Sequence, residues 1–496
     1  MSPEHRISGS IQVLMSDFRS LDRILNPRSV AIAGVAPAEA GEFNTGLLFL
    51  ETILEYGFKG NLYPLNPRGG ESLGLKVYAN IKDVPETVDY VISCIPARHV
   101  LQLVRDCAEA AVRAICLFTA GFSETGRQEA EALERDVARL AKELGVRVIG
   151  PNCMGVYSPS VRLSFSVDFP KESGPVGLIC QSGGNTLYLV RAAAQRGVRF
   201  SKVVSYGNAC DMDECELLEY FAQDPQTEIV AAYMEGVHNG VRFKRVLSEL
   251  AARKPVVVLK GGSTEGGLQA AASHTGSLAG SDEVWDALLD QTGAVRAHTL
   301  DELVDMMVTF RFMPVPAGRK VCVFGVGGGA TVITTDDCAS SGFVLPSLPG
   351  PMRDELRSAV GGDAGAILGN PVDFPFWLAR EDRYRHVLSR LLDWEGTDLM
   401  FFQIPLRSAM EELDGARVTI NSLLDDTIEA RGGSPKPMAV IVHCLATAEA
   451  WHAASEFATK CYEAGLPFYY STSSAALAVD RLMRSQSRKV GVDGRG

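Results

Sequence analysis

Residues 176–186 read Val176-Gly177-Leu178-Ile179-Cys180-Gln181-Ser182-Gly183-Gly184-Asn185-Thr186. An apolar run is followed by a polar glycine turn and then by a helical stretch from about Asn185, the order that opens a βαβ unit. The run does not alternate polar with apolar, so it predicts a strand buried on both faces, as in parallel sheets covered by helices. Glycines at such a junction let backbone N–H groups close on an anion, and the helix dipole favours negative charge there. The same residues also read as a tight turn with a Ser or Asn cap.

The pattern continues outward in both directions. Strands are predicted at 202–205, 228–233 and 255–261, and a helix from about Ser281. Upstream, strands fall at 30–34, 61–65, 88–95, 113–118 and 146–150, with a charged helix over about 126–144. Downstream of the compact linker Pro314-Val-Pro-Ala-Gly318, strands fall at 320–324, 342–346, 398–402, 438–442 and 466–470. The fold class is therefore α/β, with parallel-sheet domains predicted at residues 21–159, 174–313 and 318–485. The last fifteen or so residues, polar and glycine-rich, are expected to fray.

Composition narrows the function. The 496 residues are 46% hydrophobic, and 48 Lys plus Arg against 60 Asp plus Glu give a net charge of -12. That balance argues against nucleic acid and anionic membranes as partners. No apolar run approaches the ~20 residues of a membrane span, and no signal-peptide core follows the N-terminus. Eleven cysteines without a C-x-x-C pair predict reduced thiols in a cytoplasm and no zinc site.

Candidate residues for chemistry cluster in the middle block. His274 lies in Ala270-Ala-Ala-Ser-His-Thr-Gly-Ser-Leu-Ala-Gly280, a small-residue loop between a strand and a helix. An imidazole there is placed to accept a phosphoryl group, or else is a loop histidine bonded to nearby hydroxyls. Glu235 ends the strand Ala231-Ala-Tyr-Met-Glu-Gly236 on the same sheet edge, where ligands of parallel sheets bind. It can accept an N–H of His274 and leave the other nitrogen as nucleophile. It reads equally as a solvated strand end.

In the first block Gly34-Val-Ala-Pro-Ala-Glu-Ala-Gly41 is not G-x-G-x-x-G, and Asn66-Pro67-Arg68 stands where an NAD site wants a carboxylate. An arginine holds phosphate instead, so a phosphorylated ribose, as in coenzyme A or NADP, fits better than NAD. Asn66-Pro67-Arg68 is otherwise a surface turn. In the third block Gly325-Val-Gly-Gly-Gly-Ala330 fits G-x-G-x-x-A, but no acidic residue closes the next strand, so a dehydrogenase is the weakest reading.

With these residues in hand, the chain resembles the NDP-forming acyl-CoA synthetases, relatives of the succinyl-CoA ligase α subunit. The resemblance runs over about 20–485 in domain order, and its most specific piece is Lys260-Gly-Gly-Ser-Thr-Glu-Gly-Gly267 with Ser273-His-Thr-Gly-Ser-Leu-Ala-Gly280. It implies a Rossmann-like CoA-binding domain followed by two flavodoxin-like domains. It also implies that His274 is phosphorylated during turnover, that Glu235 supports it, and that Ser182, Gly183, Gly184, Thr275 and Gly276 hold phosphate. Asn152 and Cys153, within Gly150-Pro-Asn-Cys-Met-Gly155, match the segment near the CoA thiol. Gly34, Asn66, Pro67, Arg68, Ile95 and Pro96 match segments that contact the CoA nucleotide. The first turn departs from the family: it reads Gly34-Val35-Ala36 where Gly-Ala-Ser is usual, and so loses a hydroxyl.

No ATP-grasp module is found in the chain. Some family members carry it on a separate β chain, with ATP or ADP and Mg2+ bound there. The resemblance therefore implies an α-like ligase subunit in an α2β2-type hetero-oligomer, joining a small carboxylic acid to CoA through a phosphohistidine and an acyl phosphate. The alternative is a catalytically inactive CoA- or acyl-CoA-binding regulatory protein.

Overall fold

The computed structural model describes residues 18–37, 44–267, 269, 281–325, 328–360, 367–373, 381–406, 414–443 and 447–493. The phosphohistidine candidate His274, with Thr275 and Gly276, lies outside them.

The first sheet holds β1 (Ser29–Ala33), β2 (Asn61–Leu65), β5 (Tyr90–Ser93), β6 (Ala114–Leu117) and β7 (Arg147–Ile149) in the order β2-β1-β5-β6-β7. All its pairings are parallel. A small antiparallel hairpin of β3 (Glu71–Ser72) and β4 (Leu75–Lys76) stands apart from it.

The second sheet has the order β13-β12-β11-β9-β10-β8. Its strands are β8 (Gly155–Tyr157), β9 (Val176–Cys180), β10 (Phe200–Ser205), β11 (Ile229–Met234), β12 (Val256–Lys260) and β13 (Val295–Ala297). All pairs are parallel except β8 with β10. Strands β9, β11 and β12 are buried along their whole length, which is why their sequences run apolar without alternation. Strand β8 completes this sheet, although in sequence it lies within the first block, 21–159.

The third sheet has the order β15-β16-β14-β17-β18-β19. It is built from β14 (Val321–Phe324), β15 (Ile367–Leu368), β16 (Val372–Asp373), β17 (Leu399–Pro405), β18 (Met438–His443) and β19 (Phe468–Tyr469). Only β15 with β16 is antiparallel. The chain divides into two compact units, one of Met1–Ala194 with Arg199–Leu303 and one of Gln195–Val198 with Val304–Gly496. The first two sheets fall in the former and the third in the latter.

Helices cover these sheets on apolar stripes. In Gln128–Leu144 the buried residues are Ala130, Val137 and Ala141, and the exposed Arg139 pairs with both Asp136 and Glu143. Gly145 ends it in the left-handed conformation, its N–H donating to the carbonyl oxygens of Ala141 and Lys142. Among the described residues no helix is long and apolar enough to cross a membrane. The cysteines among them are all unpaired.

Three expectations change. Residues 482–493, part of the tail expected to fray, continue the helix Thr472–Asp493, whose earlier turns are anchored by the buried Ala475, Ala476, Val479 and Leu482; residues 494–496 lie outside the described ones. The stretch 342–346 supplies only a bridge from Val344 to Lys320, not a strand. The helix after β9 begins at Gly183, two residues before Asn185, so both glycines of the turn belong to its first turn.

Candidate functional site

The site is assembled on the carboxyl edge of the second sheet. Strand β9 ends at Cys180 and the helix Gly183–Gln195 starts three residues later. The Ser182 hydroxyl accepts from the Asn185 N–H at 3.3 Å, and the Ser182 carbonyl accepts from the Thr186 hydroxyl at 2.7 Å. Gly183 and Gly184 occupy the first turn, whose N–H groups find no carbonyl within the helix. Beside them, Glu235 follows the last residue of β11. Its N–H donates to the Gln181 side-chain oxygen at 2.7 Å, and its carboxylate accepts from the Tyr233 hydroxyl at 3.2 Å. The turn after β9 and the carboxylate after β11 are thus tied directly.

These residues line a cavity of about 610 Å³. Its other walls include Asn152, Cys153, Met154, Gly207 and Asn208, together with Cys94, Ile95, Pro96, Phe118 and Thr119. Among these lining residues Glu235 is the one carboxylate and none is cationic. A negative group entering here would meet backbone N–H and the helix dipole rather than a cationic side chain among the lining residues. The Cys153 thiol lies 3.7 Å from that of Cys116, and burial pushes its pKa far above the ordinary thiol range. Cys153 is a wall, not a nucleophile.

A second cavity, of about 500 Å³, opens in the first sheet beside Gly34, Asn44, Asn66, Pro67, Asn80 and His99. Cys94, Ile95 and Pro96 line both cavities, so the two meet at that segment. Gly34 has φ +99°, and a Cβ on Gly46 would lie 2.4 Å from the Gly34 carbonyl oxygen. The helix Thr45–Tyr56 can reach β1 this closely only without side chains there. Its cap, Asn44, accepts from the Leu47 N–H at 2.8 Å and donates to the Gly34 carbonyl at 2.9 Å.

Asn66 and Arg68 behave differently from their neighbours. The Asn66 amide donates to the Val35 carbonyl at 2.8 Å and its oxygen accepts from the Arg68 N–H at 3.0 Å, so its side chain holds the turn. Arg68 is exposed, next to Pro67 but outside the lining, and forms no ion pair with a described residue.

Two features escaped sequence reasoning. Gly207 and Asn208 follow β10, and a Cβ on Gly207 would lie 2.1 Å from the Pro151 carbonyl oxygen, with φ at +55°. The turn therefore presses onto Pro151-Asn152, and a Gly-Asn pair closing a buried strand was the available signal. The second is His238, whose Nδ1 lies 3.2 Å from the fully buried Glu214 carboxylate. That hydrogen bond raises the pKa of His238. Sequence gives no signal for it, because Glu214 opens a different element, the helix Glu214–Gln223 that follows β10.

The two cavities meet at one segment, one beside a strand-turn of nucleotide-binding type and one at a helix N-terminus with a carboxylate. Residues 28–159 match a CoA binding domain, and 173–310 match a succinyl-CoA ligase-like flavodoxin domain. The chain is 36% identical to the α subunit of an ADP-forming acetate–CoA ligase II of Pyrococcus furiosus, over 74% of this chain and 78% of that one. It is 37% identical to the α subunit of ligase I of the same organism, over 66% and 71%. The dinucleotide-forming acetyl-coenzyme A synthetase 1 of Ca. Korarchaeum cryptofilum, solved with phosphate and ADP, superposes with a TM-score of 0.80. It is 30% identical, and the match covers 96% of this chain and 98% of that one. The chain belongs to the ADP-forming acyl-CoA synthetases, acid–thiol ligases, as an α-type member.

Proposed function

We propose that this chain joins a small carboxylic acid to CoA at the expense of ATP, in the cytoplasm, with a separate ATP-grasp β chain in an α2β2-type assembly. ATP and Mg2+ sit on the partner. A nitrogen of His274 attacks the γ-phosphorus, an N–P bond forms and ADP leaves. The carboxylate oxygen of the acid then attacks phosphorus, giving an acyl phosphate and free imidazole. The CoA sulfur attacks the acyl carbon, a C–S bond forms, the C–O bond to phosphate breaks, and the thiol proton passes to solvent as phosphate departs. Splitting the transfer this way is nucleophilic catalysis, suited to imidazole because its phosphoramidate is still a reactive donor.

In this reading Glu235 accepts the N–H of His274, which fixes the tautomer and stabilises the cation formed on phosphorylation. Backbone donors of Ser182, Gly183, Gly184, Thr275 and Gly276 hold the phosphoryl oxygens without reorganisation. The nucleotide half of CoA lies along Gly34, Asn66 and Pro67, with the exposed Arg68 for its phosphates. Its arm passes Ile95-Pro96 and ends beside Asn152 and Cys153. The observation that carries this is the meeting of the two cavities at Ile95-Pro96, which gives an extended ligand one route from β1 to the helix start at Gly183. That the P. furiosus relatives are named as α subunits for acetate supports a β partner and a small acid.

The test is intact-mass spectrometry at neutral pH, after incubation with MgATP and a lysate of the native host and repurification of the chain. Wild type is expected to gain one phosphoryl group and His274→Ala none. His274→Ala is also expected to abolish net acyl-CoA synthesis while CoA affinity changes less than twofold. A His274→Ala protein that keeps most of its activity removes the mechanism.

A further inference from the structure

Asn208 is 4% exposed and lines the cavity at Ser182–Gly184. Its side-chain nitrogen donates to Glu124 Oε2 at 2.8 Å, Glu134 Oε2 at 2.9 Å and Ser123 Oγ at 3.1 Å. An ionised carboxylate only accepts, so the NH2 group must face these two and the amide cannot be flipped. Burial pushes the Glu124 carboxyl up, but the Asn208 amide and the N–H groups of Gly121 and Phe122 outweigh it and hold it below its ordinary value. The backbone is fixed too, the Asn208 N–H donating to the Pro151 carbonyl at 3.0 Å. The amide oxygen Oδ1 accepts no hydrogen bond from a described residue. A clamp between carboxylates needs only the NH2 group, so the oxygen is left over.

An amide oxygen repels phosphate and carboxylate oxygens, so what it meets must be a donor. At its thiol end CoA carries two, the S–H and the N–H of the last amide of its arm. The S–H is a weak donor, whereas a buried amide N–H left unpaired is costly. We infer that Asn208 Oδ1 accepts the hydrogen bond of the terminal amide N–H of the CoA arm, making Asn208 a binding and positioning residue for the thiol. This rests on the CoA reading above. The sulfur then comes to lie one ethylene group from a fixed point, on the side of the helix start at Gly183.

The experiment is calorimetric titration of the full chain with CoA, desulfo-CoA and adenosine 3′,5′-bisphosphate. For Asn208→Ala we expect about a tenfold loss of affinity for both CoA and desulfo-CoA, and none for the bisphosphate, which lacks the arm. Because Asn208→Ala also leaves two carboxylates facing each other, a second variant, Asn208→Ala with Glu124→Gln, removes one of the charges while Glu134 keeps its bonds from the Ser123 N–H and hydroxyl. It still lacks the amide oxygen and is expected to bind the bisphosphate as wild type does and CoA about tenfold more weakly. Unchanged CoA affinity in Asn208→Ala overturns the inference, as does a double variant that recovers CoA affinity. A loss confined to CoA and absent for desulfo-CoA assigns the oxygen to the thiol instead. A wild-type chain that binds none of the three ligands removes the CoA reading itself.

Discussion

Residue by residue, the site is governed by which groups are left ionised and which are silenced by burial. Glu235 is half-buried and held by Tyr233 and Gln181, so it is oriented before any ligand arrives. Glu235→Gln is expected to slow phosphohistidine formation about 100-fold, measured by rapid quench into base; an unchanged rate takes Glu235 out of the site. Cys153 is the opposite case, since burial favours its neutral thiol. At pH 8 we expect iodoacetamide to label it about 100-fold more slowly than glutathione, and peptide mass spectrometry would expose the error if it labelled readily. His238 titrates upward because of the Glu214 carboxylate. A raised histidine pKa stabilises the fold fully below the ordinary value near 6.5, and that contribution fades as pH rises through the raised value. NMR titration of the His238 ring should show an upward shift that Glu214→Gln abolishes.

Among the elements, short connections decide whether the site exists. The helix Gly183–Gln195 offers its N-terminus only because Ser182 and Thr186 close its first turn. The turn after β10 reaches Pro151 only because position 207 is glycine. Gly207→Ala forces a left-handed conformation on a residue with a Cβ and drives that Cβ into the Pro151 carbonyl. We expect a loss of about 2 kcal/mol or more, seen as a lower urea midpoint, with weaker CoA binding. A variant as stable as wild type would mean that the turn moves freely. Arg147, the first residue of β7, adds a second tie, donating to Glu216 at 2.7 and 2.6 Å and to Asp211 at 3.0 Å, so the segment after β10 is bound to β7 as well as to its own sheet.

Over the whole molecule, some buried charges are matched by an equally buried partner, as Lys202 is by Asp224 and Arg196 by Asp305. In the second unit Arg196 is buried, donates to Asp305 at 2.5 Å and to the Phe468 carbonyl at 2.8 Å, and stacks near Tyr469 and Tyr470. Arg196→Ala strands the Asp305 carboxylate in a dry site. We expect it to cost about 3–5 kcal/mol, read from a thermal transition of the unit containing the third sheet. A shift of less than about 1 kcal/mol would show that water reaches Asp305.

The α/β class, the three sheets and most strands were legible in the sequence, because a strand buried on both faces must be apolar throughout and its neighbours must be amphipathic. The turn at Ser182–Gly184 and the carboxylate at Glu235 were legible for a related reason: each lies where a strand ends, and the edge of a parallel sheet is fixed by local order alone. The terminal helix was misread because its buried stripe becomes visible only against the sheet it covers. What the tertiary structure alone decided is which distant loops share a wall. Asn208 meets Glu124 and Glu134, His238 meets Glu214, and Ile95-Pro96 joins two cavities, through contacts that close over long stretches of chain. Hydrogen bonds of that kind leave no periodicity behind, since they depend on where whole strands are packed rather than on the residues beside them.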